Sequence, residues 1–423
     1  MKLHIASAAA IAVALLGSAV GARADDALQT LQGMHMTAPM DWPTVPQTGA
    51  KADAVRQILK DKVKLPPGFH IELYALVPDA RHMAVGPQGV VTFVGTRKSK
   101  IWAVTDRSRA GGEAGGIEVK EFAPSLPKRL PNGPCFTKDG FLFVVEQNRV
   151  LKYAAAEFFY EGQDVAIDAV TVPEGELIPK SEESFNHTAR ECRVGPDNKL
   201  YIQIGQPYNV PTKEKADLFR KVGMGAIIRM DLDGKNREIY ATGLRNPEGL
   251  DFNPKDKSLW SNDNQVDGMG DDIPPGEMNR IDKAGEQFGF PWYGGGHTRT
   301  NEFKNDTPPA DVVFPEVEQV AHAADLGLSF YTGDQFPAKY KNAIFSTQHG
   351  SWNRTVPVGA RVMVTFLKDD GHVAGPSIPF AEGWNDNGHY LGRPVDVQQY
   401  WDGSLLVSDD LVGAVYRIYY DGK

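Results

Sequence analysis

The chain has 423 residues, a formal net charge of −9 and two cysteines. An acidic protein without a block of basic residues is a poor candidate for binding nucleic acid or anionic lipid. Two cysteines and no Cys-x-x-Cys-His motif exclude a cysteine-rich zinc site, an iron–sulfur cluster and covalently attached c-type haem.

Residues 1–24 have the pattern of a secretory signal peptide. A polar start precedes an apolar, Ala-rich run from Ile5 to Val20, and Ala22-Arg23-Ala24 forms a small-x-small cleavage site before two aspartates. The alternative is a membrane anchor, but a run of about 16 residues is shorter than the roughly 20 that a bilayer requires. We therefore predict a periplasmic protein without membrane insertion, cleaved near Ala24, with an N-terminal arm over residues 25–64.

Cys135 and Cys192 would both reach an oxidising compartment, where disulfides persist. A disulfide requires the two sulfurs to lie within bonding distance, which a sequence does not determine. The pairing of these two residues therefore stays open on sequence grounds.

One unit recurs along residues 65–423: a small or apolar run, a turn rich in Pro, Asp, Asn and Gly, and a strand rich in β-branched and aromatic residues. Each unit has the pattern of a β-hairpin. The hairpins cover residues 83–94, 135–145, 194–204, 250–260, 336–346 and 397–408. Six copies of one hairpin favour an all-β fold, a six-bladed β-propeller, over a β-sandwich, which does not need this repetition. Because the loops of a propeller converge on its axis, we expect the functional residues there.

Two polar clusters precede hairpins. In the first, residues 185–190, His187 could act as a general base near neutral pH, and Arg190 three residues later favours this over a purely structural histidine. In the second, residues 243–250, Arg245 and Asn246 lie between turn formers. The Arg245 guanidinium could donate to a carboxylate or a quinone oxygen, and the alternative is an ordinary surface turn.

A third cluster, residues 260–272, is dense in oxygen ligands and has glycines for tight bends. Hard cations such as calcium prefer several oxygens on a flexible backbone, although the spacing is not that of an EF-hand. The alternative is a solvated acidic loop. Further cations in residues 348–354 and at Arg393 suggest a polyanionic ligand beside the metal, because each ion pair contributes about 4 kcal/mol before desolvation.

In this order, these motifs resemble the soluble glucose and sorbosone dehydrogenases that use pyrroloquinoline quinone. The resemblance runs from about residue 65 to the end, and the stretch His349-Gly350-Ser351-Trp352-Asn353-Arg354 is closer to the sorbosone branch. It implies a periplasmic quinoprotein that oxidises a sugar or a sugar-derived aldehyde or alcohol. It also implies pyrroloquinoline quinone and Ca²⁺ as cofactors and a separate electron acceptor, a cytochrome or a quinone.

The resemblance also implies residue roles. His187 matches the catalytic base, and Arg245 matches the residue against the reactive quinone carbonyl. A lysine that binds the cofactor in the glucose branch is missing here, and His349 or Arg354 could replace it. The predicted cofactor-binding residues are Arg190, Arg245, Asn246, His349, Arg354 and Arg393. Arg97 and Asn132 are added to this set on position alone, because they lie at equivalent junctions in the first two blades. The predicted metal-binding residues are Asn264, Gln265 and Asp267.

Two other functions fit a propeller with a cation at its mouth. One is a calcium-dependent lactonase, and the other is a binding propeller without catalytic activity. Neither requires a quinone, and the lactonase does not need several arginines around the axis. Dye reduction that depends on both added quinone and added calcium separates the dehydrogenase from these alternatives.

Overall fold

The computed structural model describes residues 43–109, 116–161 and 167–423. Within these residues, six β-sheets of at least four strands form blades around one axis. The first strand of each blade contacts the first strands of both neighbouring blades, so these six strands form a closed inner ring. The six-bladed β-propeller predicted from the repeated hairpin is therefore confirmed. The predicted signal peptide and the first part of the arm lie outside the described residues.

The chain enters the propeller through β1 (Phe69–Leu76) and then builds the blades in chain order. Blade one contains, from the axis outward, β2 (Met83–Val85), β3 (Val91–Val94), β4 (Trp102–Asp106) and β5 (Ile117–Glu121). Blade two contains β6 (Gly133–Phe136), β7 (Leu142–Val145), β8 (Val150–Tyr153) and β9 (Ile167–Val172). Blade three contains β10 (Cys192–Val194), β11 (Leu200–Ile204), β12 (Ala226–Met230), β13 (Glu238–Thr242) and the short parallel strand β17 (Glu286–Gln287).

The remaining three blades follow the same antiparallel plan. Blade four contains β14 (Asn246–Phe252), β15 (Leu259–Asn264), β16 (Gly276–Ile281) and β20 (Val317–Gln319). Blade five contains β21 (Asp325–Phe330), β22 (Ile344–Gln348), β23 (Arg361–Thr365) and β24 (Ile378–Glu382). Blade six contains β27 (Pro394–Gln399), β28 (Leu405–Asp409) and β29 (Ala414–Tyr420), with β1 as its outermost strand.

Short elements decorate the blades. Two small hairpins pair β18 (Tyr293–Gly295) with β19 (Thr298–Arg299) and β25 (Asn385–Asp386) with β26 (His389–Tyr390). The helices are α1 (Ala50–Lys62), α2 (Ala156–Phe159) and α3 (Lys213–Val222), with 3-10 turns at Lys180–Glu182 and Ala338–Tyr340. None of the helices in the described part of the chain has the length and apolarity needed to cross a membrane.

The two ends of the propeller sequence close the ring together. Strand β1 pairs antiparallel with β29, from Phe69 opposite Tyr420 to Leu76 opposite Ala414. Blade six is therefore built from both ends of the propeller sequence. Helix α1 precedes β1 and buries Ala52, Val55 and Leu59 in the apolar cluster between blades five and six. The described part of the N-terminal arm thus packs against the blades.

The inner strands of neighbouring blades approach closely near the axis. A Cβ atom on Gly133 would lie 2.1 Å from the Arg190 carbonyl oxygen, and one on Gly249 would lie 2.2 Å from that of Leu326. Glycine is required at both positions because no side chain fits. Cys135 and Cys192, whose pairing the sequence left open, form a disulfide between β6 and β10 with their Cα atoms 5.7 Å apart.

Candidate active site

One end of the propeller axis opens into a cavity of about 290 Å³. Part of its wall comes from residues just before innermost strands: Arg81 before β2, Arg245 before β14 and Arg393 before β27. The ends of second strands and the loops after them supply another part, which consists of Arg97, Asn264, Gln265, Asp267, His349, Gly350, Trp352 and Asn353. The propeller therefore gathers residues from distant parts of the chain around one cavity.

His187 lines this cavity in a left-handed backbone conformation, with φ of 51°. Such a conformation is uncommon for a residue other than glycine. The Arg190 guanidinium supports it by donating to the carbonyl oxygens of His187 at 2.7 Å and Ala189 at 2.9 Å. Arg190 itself is buried and does not line the cavity. It acts on the site by fixing the backbone of His187.

The hydrogen bond of the His187 ring determines its tautomer. Nδ1 contacts the backbone carbonyl oxygen of Gln206. Because a carbonyl oxygen only accepts, Nδ1 carries the proton and Nε2 is left as an acceptor. Burial, and then the positive charge of Arg245, lower the pKa of His187 to about 4. The imidazole is therefore neutral at pH 7 and able to accept a proton at Nε2.

Arg245 is held rigidly at the start of blade four. The Asp263 carboxylate accepts from the backbone amides of Arg245 at 2.8 Å and Asn246 at 2.7 Å, which fixes the turn before β14. The buried guanidinium donates to the Asn209 and Asn264 carbonyl oxygens and to Asp267 Oδ2 at 2.9 Å. Arg245 is thus tied directly to the loop that the sequence predicts to bind metal.

The predicted metal-binding residues Asn264, Gln265 and Asp267 all line the cavity. The Asp267 carboxylate already accepts from Arg245 and, at 2.7 Å, from Asn353 Nδ2. Asp325 also lines the cavity and lies beside this loop. Its backbone carbonyl oxygen accepts a hydrogen bond from Asn264 Nδ2 at 2.9 Å. Burial raises the pKa of Asp325 to about 7, and a cation beside it would favour the ionised form.

The two candidates for the missing lysine have different positions. His349 lines the cavity, and its Nε2 lies 2.8 Å from Asp410 Oδ1. Arg354 does not line it, because its guanidinium donates to Asp272 Oδ1 at 3.0 Å and to the Asp271 carbonyl oxygen. Arg354 thus binds the acidic end of the 260–272 segment outside the cavity. His349 is the remaining candidate to replace the cofactor-binding lysine.

Asn132 was predicted as a cofactor neighbour, but it is fully buried behind the cavity wall. Its side chain donates to the Arg190 carbonyl oxygen and accepts from Arg81 Nε, both at 3.2 Å. Its polar atoms are thus engaged by the adjoining blades. Asn132 supports Arg81 and does not contact the cavity.

Arg81 and Glu248 line the cavity and were missed on sequence grounds. Arg81 donates to Glu248 Oε2 at 2.7 Å and to Asp410 Oδ2 at 3.1 Å. Against the effect of burial, Arg81 and His82 hold the pKa of Glu248 well below its usual range. A periodic signal could have found Arg81: an arginine stands within two residues before the inner strand in blades one, three, four and six, at Arg81, Arg190, Arg245 and Arg393.

Two of the cavity arginines have no carboxylate partner among the described residues. Arg97 is exposed and its guanidinium forms no ion pair there, whereas Arg81 and Arg245 are both paired. Arg393 donates to the carbonyl oxygens of His349 at 3.0 Å and Gly350 at 2.7 Å. Guanidinium groups at a cavity wall that form no close ion pair with a carboxylate suit an anionic ligand with more than one acidic group.

Residues 175–351 match the family model described as Glucose / Sorbosone dehydrogenase, which confirms the resemblance inferred from the motifs. An uncharacterized protein of Borreliella burgdorferi is 37% identical over 251 residues, which are 58% of this chain and 63% of that protein. The aldose sugar dehydrogenase YliI of Escherichia coli is 28% identical over 165 residues, which are 36% of this chain and 42% of that protein. This chain thus spans less than two thirds of the length of either relative.

Among solved structures, the fold is similar to the holo form of the pyranose dehydrogenase PQQ domain from Coprinopsis cinerea. The TM-score is 0.66 at 17% sequence identity, over 85% of this chain and 97% of that chain. This similarity independently supports the propeller fold.

Proposed function

This chain is related to the glucose and sorbosone dehydrogenases, and from this premise we propose that it is an exported dehydrogenase that oxidises a sugar or a sugar-derived aldehyde or alcohol. Its cofactors are pyrroloquinoline quinone and Ca²⁺, and a separate cytochrome or quinone accepts the electrons. One observation carries the proposal. The cavity combines a neutral histidine with an unused acceptor nitrogen and two arginines that lack carboxylate partners among the described residues.

The donor set of the cavity fits both cofactors. Pyrroloquinoline quinone carries carboxylates, for which Arg97 and Arg393 provide guanidinium groups. The oxygens of Asn264, Gln265 and Asp267, with Asp325 beside them, are the kind of ligand that Ca²⁺ prefers. When bound, the quinone accepts the hydrogen and the electron pair that leave the substrate carbon.

The residues of this chain supply the acid–base and electrostatic parts of the reaction. His187 Nε2 accepts the proton of the substrate hydroxyl, while Nδ1 keeps its own proton on the Gln206 carbonyl oxygen. Arg190 holds the His187 backbone in place. Arg245 places a fixed positive charge in the cavity wall, where it stabilises negative charge that develops in the transition state.

The rim of the cavity supports a sugar-sized substrate. Trp352 lines the cavity and is 78% exposed, so its indole is available to a ligand. Pockets for small organic ligands usually combine such aromatic surface with a few fixed polar groups. The polar groups here are His187 and the arginines.

Dye-linked oxidation by the purified apo-protein tests the proposal. It is measured with and without added pyrroloquinoline quinone and Ca²⁺, on aldoses, sorbosone and simple alcohols. We expect dye reduction only when both cofactors are present, and the panel then ranks the substrates. No dye reduction, together with no quinone binding by absorbance, would refute the proposal and favour the lactonase or the binding propeller.

A further inference from the structure

A second polar cluster lies on the propeller axis, deeper than the cavity. It contains His82, just before β2 of blade one, Glu191, just before β10 of blade three, and Asp396 in β27 of blade six. Their side chains are 1%, 3% and 0% exposed, so the cluster is closed to solvent. His82, Glu191 and Asp396 do not line the cavity, but the neighbouring Glu248 does.

The His82 ring lies close to the Glu191 and Asp396 carboxylates without an ordinary hydrogen bond to either. Both Asp396 oxygens accept hydrogen bonds from other groups, the backbone amides of Met83 and Val397 and the Gln398 side chain. His82 Nδ1 lies 3.5 Å from Glu191 Oε2 and 3.8 Å from Asp396 Oδ1, beyond the usual limit of about 3.2 Å for an N–H···O bond. Both ring nitrogens of His82 and Glu191 Oε2 have no hydrogen-bond partner within the described residues. Buried polar groups without partners are costly, so their arrangement points to a missing ligand.

The spacing of the three donor atoms suits a small cation. Zn²⁺ binds histidine nitrogen and carboxylate oxygen at about 2.1 Å, so neighbouring donors in a tetrahedral site lie about 3.4 Å apart. The observed separations of 3.5 and 3.8 Å are close to this value, and all three donor atoms lie within 4.8 Å of one another. Ca²⁺ prefers six to eight oxygens at longer distances and matches this donor set less well.

We propose that His82 Nδ1, Glu191 and Asp396 bind a divalent transition-metal ion, for which Zn²⁺ is the best match, on the axis of the propeller. This site is separate from the cavity and does not depend on the proposed dehydrogenase activity. The ion joins blades one, three and six at the centre of the ring, so its role is to stabilise the propeller.

The surroundings of the three ligands support this assignment. The Asp396 carboxylate is oriented by the backbone amides of Met83 and Val397, both at 2.8 Å. On the other side of the imidazole, His82 Nε2 faces Glu248 Oε2 at 3.7 Å. This distance is too long for a hydrogen bond, so Glu248 contributes a nearby negative charge and does not fix the ring. Because Glu248 also pairs with Arg81, the axial site is linked to the wall of the cavity.

The alternative is that His82 is a buried imidazolium held by carboxylates alone. Burial by itself lowers the pKa of His82, but Glu191, Asp396 and Glu248 raise it to about 10 in the absence of an ion. Bound metal would instead require the neutral ring. The two states therefore differ in a measurable quantity, the transition-metal content of the protein.

Elemental analysis of the mature protein, purified without metal-affinity chromatography and dialysed against Zn²⁺ and then metal-free buffer, tests the site. We expect about one Zn²⁺ per chain in the wild type and in a control variant, His297→Asn, which alters an exposed histidine. The variants His82→Asn and Glu191→Gln should lose at least about nine tenths of the metal. Ca²⁺ is counted separately, so a failure of the proposed cavity site would not be mistaken for a failure here.

A second measurement on the wild type does not depend on whether the variants fold. Protein stripped of metal is reconstituted with Co²⁺, whose visible absorption reports its binding to protein ligands, and the Tm is compared with and without Zn²⁺. We expect the absorption band and a higher Tm with Zn²⁺. No bound metal and no absorption band would refute the metal site, and full metal retention by the folded His82→Asn variant would place the ion elsewhere.

Discussion

The proton-accepting role of His187 depends on a single atom, Nε2, because Nδ1 is committed to the Gln206 carbonyl oxygen. We expect His187→Ala to lower kcat by about 100-fold or more, the usual contribution of a positioned general base. Cofactor binding should persist, since Arg97 and Arg393 are unchanged. Steady-state kinetics and an absorbance titration of the quinone measure the two quantities. The exposed His297 provides a matched control as His297→Ala, and wild-type turnover in the His187 variant would contradict the role.

The pH profile tests the same residue without a mutation. The base is active when neutral, and burial together with Arg245 lowers the pKa of His187 from 6.5 to about 4. Activity is therefore kept as the pH falls through 6.5 and is lost only as it approaches the lowered pKa. We expect the acid limb of kcat/KM, which reports the free enzyme, to lie below pH 6.5. Circular dichroism over the same range controls for acid unfolding, and a limb above 6.5 would contradict the assignment.

Among the elements, the Cys135–Cys192 disulfide joins β6 and β10 across a sequence separation of 57 residues. Such a link restricts the unfolded chain and typically contributes about 2–4 kcal/mol to stability. We expect the double variant Cys135→Ala/Cys192→Ala to lose about this much free energy of unfolding in urea titrations. Wild-type protein treated with a reductant is the matched comparison and should shift in the same direction. An unchanged urea midpoint in both would show that the link adds no stability.

The sequence predicts those elements whose partners are close to them in the chain. Turn residues followed by a strand of alternating apolar and polar residues predict a hairpin. The number of blades could therefore be counted from the sequence before their arrangement was known. The role of β1 could not be predicted, because its partner β29 lies at the other end of the chain. The site shows the same division. The motifs around His187 and Arg245 were found, but the pairing of Arg81 with Glu248 joins two blades and leaves no local pattern.

The case of His349 and Arg354 shows why a motif does not fix side-chain placement. Both residues belong to one short stretch, and both could have replaced the missing lysine. The choice depends on Asp271 and Asp272, which lie in a loop of another blade and bind Arg354. Asn132 likewise precedes an inner strand, as the wall residues do, but its short side chain is engaged by Arg81 and Arg190.

In the whole molecule, the cavity exists only when the ring is closed. Its wall takes residues from five blades: Arg97 from blade one, His187 from the approach to blade three, Arg245 from blade four, Asp325 from blade five and Arg393 from blade six. A ligand bound there interacts with the folded propeller and not with separate blades. Binding and global stability are therefore linked.

This linkage predicts that pyrroloquinoline quinone with Ca²⁺ raises the Tm of the protein. At a ligand concentration of 100 times Kd, the expected stabilisation is about 2.7 kcal/mol. Thermal unfolding followed by circular dichroism, with and without both cofactors, measures the shift. The double variant Arg97→Gln/Arg393→Gln loses the hydrogen bonds of Arg393 to the His349 and Gly350 carbonyl oxygens, so its own ligand-free Tm is the baseline, and relative to that baseline it should lose most of the ligand-induced shift. An equal shift in the variant would mean that the ligand binds without these two arginines, and the anion-binding role of the cavity would have to be assigned to other residues.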